Sequence, residues 1–155
     1  MRSNEIQRGI GGWLSLFCLG LIIIGPLRTL GSIGGTLSEM EKQGQFFAQY
    51  PAICNLFRFD MAVNGLISIY GISVGLNLYN IKHNALRKAK SYLLVVMSYG
   101  CIYGISPILF NELPDELEKF LWDTSFRTAI TSLISAGVWY AYLNKSSRVK
   151  NTYLS

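Results

Sequence analysis

Four long stretches of the chain carry no charged side chain, and they determine the expected secondary structure. Residues 9–27, 61–81, 91–111 and 128–144 lack Asp, Glu, Lys and Arg and contain 19, 21, 21 and 17 residues. A helix needs about 20 apolar residues to cross a hydrocarbon core of about 30 Å. A membrane β-barrel would instead show strands of about ten alternating residues. Because backbone groups in lipid must be bonded within their own segment, the pattern predicts an all-α membrane protein with four transmembrane helices.

The overall composition supports this class of protein. Half of the residues are hydrophobic and only 15% are charged, whereas soluble domains carry about a quarter charged residues. We therefore expect the whole chain, 1–155, to form a single integral membrane domain. The apolar run at the start continues past the length of a signal peptide without a small-residue cleavage site, which favours a retained first helix. The expected spans are about 9–30, 60–81, 91–111 and 123–144.

The charges between the spans are sorted by sign, which predicts the topology. The N-terminal segment, the 82–90 loop and the C-terminal tail together hold nine basic residues and one acidic residue. The 28–60 and 112–127 segments hold five basic and eight acidic residues. Basic residues accumulate on the cytoplasmic side of inner-membrane proteins. Both termini are therefore expected in the cytoplasm of a bacterial cell, with the protein in the inner membrane.

Two segments on the expected outer side have amphipathic character. The 28–60 segment is 33 residues long, and Ser38 followed by Glu41 has the spacing of a helix-capping box. Its aromatic residues favour a helix at the headgroup level that packs over the bundle, and a substrate lid is the alternative. In the second segment, Pro114 precedes several acids, as is typical of a first helical turn. This pattern predicts a short amphipathic helix that leads into the fourth span.

Helix packing is expected at two pairs of glycines. Gly71 and Gly75 lie in the second uncharged stretch, and Gly100 and Gly104 lie in the third. Small residues spaced four apart let two helix backbones approach closely in lipid. Folding the chain into a hairpin about residue 86 brings the two pairs to similar depth. The spacing therefore favours packing of the second helix on the third within one chain, with a homodimer interface as the alternative.

Charged residues gather where the spans meet the outer surface, and they form a candidate polar cluster. Asp123 and Arg127 are four residues apart, so they share one face of a helix. Charges at such a depth either anchor a helix by pairing or mark a functional pathway. Both interpretations remain open for the members of this cluster, which are Arg28, Arg58, Asp60, Asp123 and Arg127.

The sequence contains no recognisable catalytic or metal-binding pattern. The three cysteines have no metal-ligand spacing, and the single histidine, His83, lies in a polar loop. We expect no enzymatic activity, no cofactor and no nucleic-acid partner. The leading hypothesis is a protein that assembles in the bilayer with, or supports, another envelope component, either a membrane-protein partner or a second copy. The alternative is a small transporter or ligand-binding protein that uses the polar cluster.

Motifs at both ends of the chain give it a family resemblance. They are Gly11-Gly12-Trp13-Leu14, Arg127, Trp139-Tyr140-x-Tyr142-Leu143 and Ser147-Arg148-Val149-Lys150-Asn151-Thr152-Tyr153. With these motifs the chain resembles the YdgK-like family of small four-span bacterial inner-membrane proteins, which bear a domain of unknown function. The resemblance implies a multi-pass inner-membrane protein of a Gram-negative type cell and implies no activity or site residue.

Overall fold

The computed structural model describes residues 10–110 and 114–153, apart from the side chain of Glu116. All of the regular secondary structure in these residues is helical. The chain divides into two compact units, an N-terminal unit of Ile10–Lys82 and a C-terminal unit that begins at His83. The two units are described separately.

The N-terminal unit is a pair of long helical segments joined by a short helix. The first segment runs without a break from Trp13 to Lys42, and at 1.5 Å per residue its 30 residues extend over about 45 Å. The second segment packs against it along much of its length. The elements are α1 (Trp13–Leu19), a π-helical turn (Gly20–Ile24), α2 (Gly25–Lys42), α3 (Gly44–Gln49) and α4 (Pro51–Tyr79).

The C-terminal unit is also built on a long helix pair. Asn84 enters the first helix in the left-handed conformation, with φ of 64°, which Asn tolerates better than most residues. Ser146 has an extended backbone (ψ of 121°) and separates the last two helices. The elements are α5 (Ala85–Ile105), a 3₁₀ turn (Ser106–Leu109), α6 (Asp115–Lys145) and α7 (Ser147–Tyr153).

Among the described residues, three helical segments are long and apolar enough to cross a membrane. They are Trp13–Lys42, Pro51–Tyr79 and Ala85–Leu109. Helix α6 is as long, with 31 residues, but its apolar part is diluted by Thr, Ser and Tyr and its first turns are charged. The expectation of an all-helical protein is therefore confirmed for the described residues, with three helices that could span a membrane.

The expected outer segments take a different form from the separate surface helices that the sequence suggested. Ser38 does not cap a new helix, because it lies inside α2, which continues to Lys42. The acids after Pro114 form the first turn of α6 itself, with Pro114 as the N-cap residue. A charged side chain is costly inside lipid, so it limits the length of a membrane span. It does not end the helix itself, because a helix can continue in water with its charged side chains exposed. Both long helices therefore continue through the polar stretch.

Candidate functional site

Gly75 of α4 marks the closest approach in the N-terminal unit. A methyl group at Gly75 would come within 2.7 Å of Ile22 Cγ1 and 3.0 Å of Leu21 Cβ. Both of these residues belong to the π-helical turn. Gly71, one turn earlier in α4, is buried as well. The π-helical turn of the first segment therefore packs against this glycine face of α4.

Gly100 and Gly104 likewise mark a close approach in the C-terminal unit, where they pack against α6. A methyl group at Gly100 would lie 2.8 Å from Ser132 Cβ, and one at Gly104 would lie 2.7 Å from Ala129 Cβ. The pairs 100–132 and 104–129 run in opposite directions along the two helices, so α5 and α6 are antiparallel. We call this contact the small-residue seam.

Within each unit, the close contacts of Gly75, Gly100 and Gly104 are made by residues that carry a side chain. Their closest atoms belong to the π-helical turn or to α6. A small or branched side chain fits well against a glycine, and the packing of α4 on α5 stays a prediction. The signal for α6 was present in its spacing, because buried small residues recur there at Ser125, Ala129 and Ala136.

The π-helical turn lies directly before a proline. The Gly25 N–H donates to the carbonyl oxygen of Gly20, five residues earlier. Pro26 has no N–H to donate, and a proline ring in a regular helix clashes with the preceding turn. A π-turn holds one more residue than an α-turn. The wider turn therefore lets the helix continue through Pro26 while it presents Leu21 and Ile22 to Gly75.

The boundary charges of the C-terminal unit form an ion pair on an exposed face. Arg127 Nη2 lies 3.6 Å from Asp123 Oδ2, and the two side chains are 78% and 72% exposed. Pairs in water at this exposure stabilise a helix by only about 0–1 kcal/mol. The pair therefore adds little stability and is not a buried ion site.

The candidate charged residues of the N-terminal unit differ in burial and in hydrogen bonding. Asn64 Nδ2 donates to Asp60 Oδ1 at 2.8 Å and to the Asp60 carbonyl oxygen at 3.0 Å, and both residues are partly buried. Arg28 and Arg58 are exposed, and neither has a carboxylate partner among the residues that the structure describes. The Asn64 amide bonds within its own helix, because it reaches the carbonyl oxygen four residues back.

Helix α2 has an open face along its whole length. None of its residues is buried, and Leu27, Leu30 and Leu37 are 63%, 65% and 52% exposed. These leucines recur at spacings that place them on one face. Nothing lies within 4 Å of a methyl group at Gly31, Gly34 or Gly35. We call this surface the open α2 face.

Aromatic side chains pack together where α3 meets α4 in the N-terminal unit. The Phe46 ring is centred 5.4 Å from Phe47 and 5.2 Å from Tyr50, and Phe47 is 6.0 Å from Phe57. These contacts tie α3 to α4. No group of three His, Cys, Asp or Glu side chains in the described part of the chain is close enough to hold a metal ion.

Comparison with known proteins gives a family but no activity. One family model, described as a protein of unknown function (DUF2569), matches residues 7–154. No curated protein and no solved structure matches the chain. The match extends over both helical units, from the residues before α1 to the end of α7. The chain therefore belongs to the DUF2569 family of proteins of unknown function.

Proposed function

We propose that this protein is a non-enzymatic, four-span protein of the bacterial inner membrane that assembles with another envelope component. The fourth span in this proposal is α6. Residues 128–144 of α6 are free of charge, and Ile130, Ile134 and Val138 are exposed on its surface. These three lie at four-residue spacing on one face, where they suit contact with acyl chains. The resemblance of the chain ends to YdgK-like proteins also supports the inner membrane.

The topology of this proposal is tested by reporter fusions. Alkaline phosphatase and green fluorescent protein are fused after residues 45, 86, 118 and 155. We expect phosphatase activity only for fusions after 45 and 118, and fluorescence only after 86 and 155, because the basic segments remain inside. Phosphatase activity after residue 86 would contradict the four-span topology, and activity after 155 would remove α6 from the spans.

The open α2 face is the observation that carries the assembly proposal. Arg28 marks the membrane boundary, and α2 continues for 14 residues beyond it to Lys42. Leu37 lies beyond the proposed first span, where covering an exposed leucine contributes about 1.5–3 kcal/mol. Leu27 and Leu30 lie within that span, where association depends on close packing and not on the hydrophobic effect. The open glycines beside them let a second helix approach closely. A membrane protein or a second copy of the chain fits this surface.

In-membrane photocrosslinking tests this assembly. A photoreactive phenylalanine analogue replaces Leu37 on the open α2 face, and in a matched control it replaces Ile102 on α5, which is also more than half exposed. We expect a protein adduct of one defined mass from position 37 and none from position 102. An adduct of twice the chain mass identifies a homo-oligomer, and any other mass identifies a partner for sequencing.

The outcome that contradicts the proposal is equally specific. If position 37 gives no protein adduct in intact membranes, and mild-detergent extraction yields a partner-free monomer, the open α2 face is not an assembly surface. Equal crosslinking from positions 37 and 102 would show only random collisions, and it would also contradict the proposal.

A further inference from the structure

One end of the C-terminal unit concentrates positive charge. Arg87, Lys88 and Lys90 lie in the first two turns of α5, Lys145 ends α6, and Lys150 lies in α7. The antiparallel register of the small-residue seam, 100 with 132 and 104 with 129, places position 87 opposite position 145 when it is extended along both helices. We call these five cations the basic end.

The described acids of α6 lie at the opposite end of this helix pair. Asp115, Glu118 and Asp123 are in the first three turns of α6, and no Asp or Glu occurs in residues 83–111 or 124–155. Four of the basic-end side chains, those of Arg87, Lys88, Lys145 and Lys150, are exposed. Cations held together in this way repel one another, and a bound anion relieves that repulsion.

Apolar stripes extend from the basic end along both helices. On α5, Arg87 shares its exposed face with Leu94 and Ile102, at spacings that return to one side of a helix. On α6, Lys145 shares its exposed face with Val138 and Ile134. Arg87 and Leu94 are separated by about 10 Å of helix rise. This distance lies within the half-thickness of the hydrocarbon core.

Helix α7 keeps the last cation at this surface. The chain turns at Ser146, whose side-chain oxygen accepts a hydrogen bond from the Val149 N–H at 3.4 Å. Val149 is fully buried, so α7 is packed down at the end of α6. Lys150 therefore remains close to the membrane boundary. The Trp139 and Tyr142 rings, 5.8 Å apart, lie within two turns of Lys145, as suits the headgroup level.

We propose that the basic end binds the headgroup of an anionic glycerophospholipid, with its phosphate near Arg87, Lys88 and Lys145 and its acyl chains along the apolar stripes. A free phosphate ion would use the cations but not the stripes. A zwitterionic lipid would use the stripes but would bring no net negative charge. Since an anionic lipid matches both, it is the occupant that this surface fits.

The test measures lipid binding to the full-length protein in detergent. Dioleoylphosphatidylglycerol is added to delipidated protein, and bound lipid is counted by native mass spectrometry while Tm is followed in parallel. Dioleoylphosphatidylcholine and inorganic phosphate are added in separate samples. We expect phosphatidylglycerol to bind and raise Tm, and the other two to have little effect. Raising the NaCl concentration should weaken the effect, because salt screens exposed charges.

Two double variants assign the binding to the basic end. Arg87→Gln with Lys145→Gln removes two of its cations, and Lys42→Gln with Lys119→Gln removes two exposed cations elsewhere. Since each cation near an anionic surface contributes appreciably, the first variant should bind phosphatidylglycerol at least about tenfold more weakly, and the second should bind like the wild type. Equal binding by the two variants would overturn the proposal.

The wild-type protein alone gives a decisive result even if a variant fails to fold. Equal stabilisation by phosphatidylglycerol and phosphatidylcholine would show that only acyl chains are recognised. Stabilisation by inorganic phosphate to the same extent would show that the lipid is not required. Either result would also overturn the proposal, and neither depends on the assembly role of the open α2 face.

Discussion

Replacing Gly104 with leucine is expected to separate α5 from α6 and to lower the free energy of unfolding by at least about 2 kcal/mol. Even a methyl group at this position would come within 2.7 Å of Ala129 Cβ. A Cβ atom moves only with its backbone, so the clash cannot be relieved by rotating a side chain. The whole helix must shift, and the contacts of the small-residue seam are lost together.

A matched substitution separates this clash from the general effect of a larger side chain. Gly137 lies on α6, and a methyl group there would meet nothing within 4 Å. Gly137→Leu should therefore leave stability nearly unchanged. Unfolding is followed by circular dichroism as sodium dodecyl sulfate is added to protein in mild detergent. Similar losses for Gly104→Leu and Gly137→Leu would mean that α5 and α6 do not pack through Gly104.

A double-mutant cycle with smaller substitutions tests the same contact between Gly104 and Ala129. Gly104→Ala brings the added methyl group against Ala129, and Ala129→Gly removes the atom that it meets. The double variant should lose less stability than the sum of the two single variants, which is the signature of a direct contact. Strict additivity would contradict the seam, although each single variant also carries its own change in helix propensity.

The positions of the long helices were largely predictable from the sequence, but their ends were not. The uncharged stretches located the apolar part of every long helix, because charge is costly inside lipid. A charged residue does not end a helix when its side chain is exposed, as those of Arg28 and Glu39 are. For this reason α2 runs on to Lys42, and the expected separate helix at Ser38 does not form.

The candidate residues differ in how far their neighbours could be predicted. The pairing of Asp123 with Arg127 depends only on helix geometry, since residues four apart share a face. The neighbours of Gly75 and Gly100 depend on which helices pack together, and spacing within one helix contains no such information. Spacing within one helix therefore marks small residues but does not say which helix packs on them.

Deleting Ile23 is expected to have the second large effect, because it removes the additional residue of the π-helical turn. Without that residue the turn becomes α-helical, and everything before it rotates by about 100° relative to α2. Leu14 and Phe17, now buried at 0% and 3% exposure, would leave the face that packs on α4. Pro26 would again clash with the turn before it.

Ile23→Ala is the matched control for this deletion, since it keeps the residue count and changes only a side chain that is 47% exposed. We expect this variant to accumulate and unfold like the wild type. The deletion should reduce the folded protein recovered from membranes severalfold and lower the free energy of unfolding by at least about 2 kcal/mol, because buried side chains lose their contacts. A tolerated deletion would mean that the first segment packs in either register, and the π-helical turn would then have no part in aligning Leu21 and Ile22 with Gly75. A severe loss confined to the deletion would instead establish that the residue count between α1 and Pro26 sets the register of the N-terminal unit.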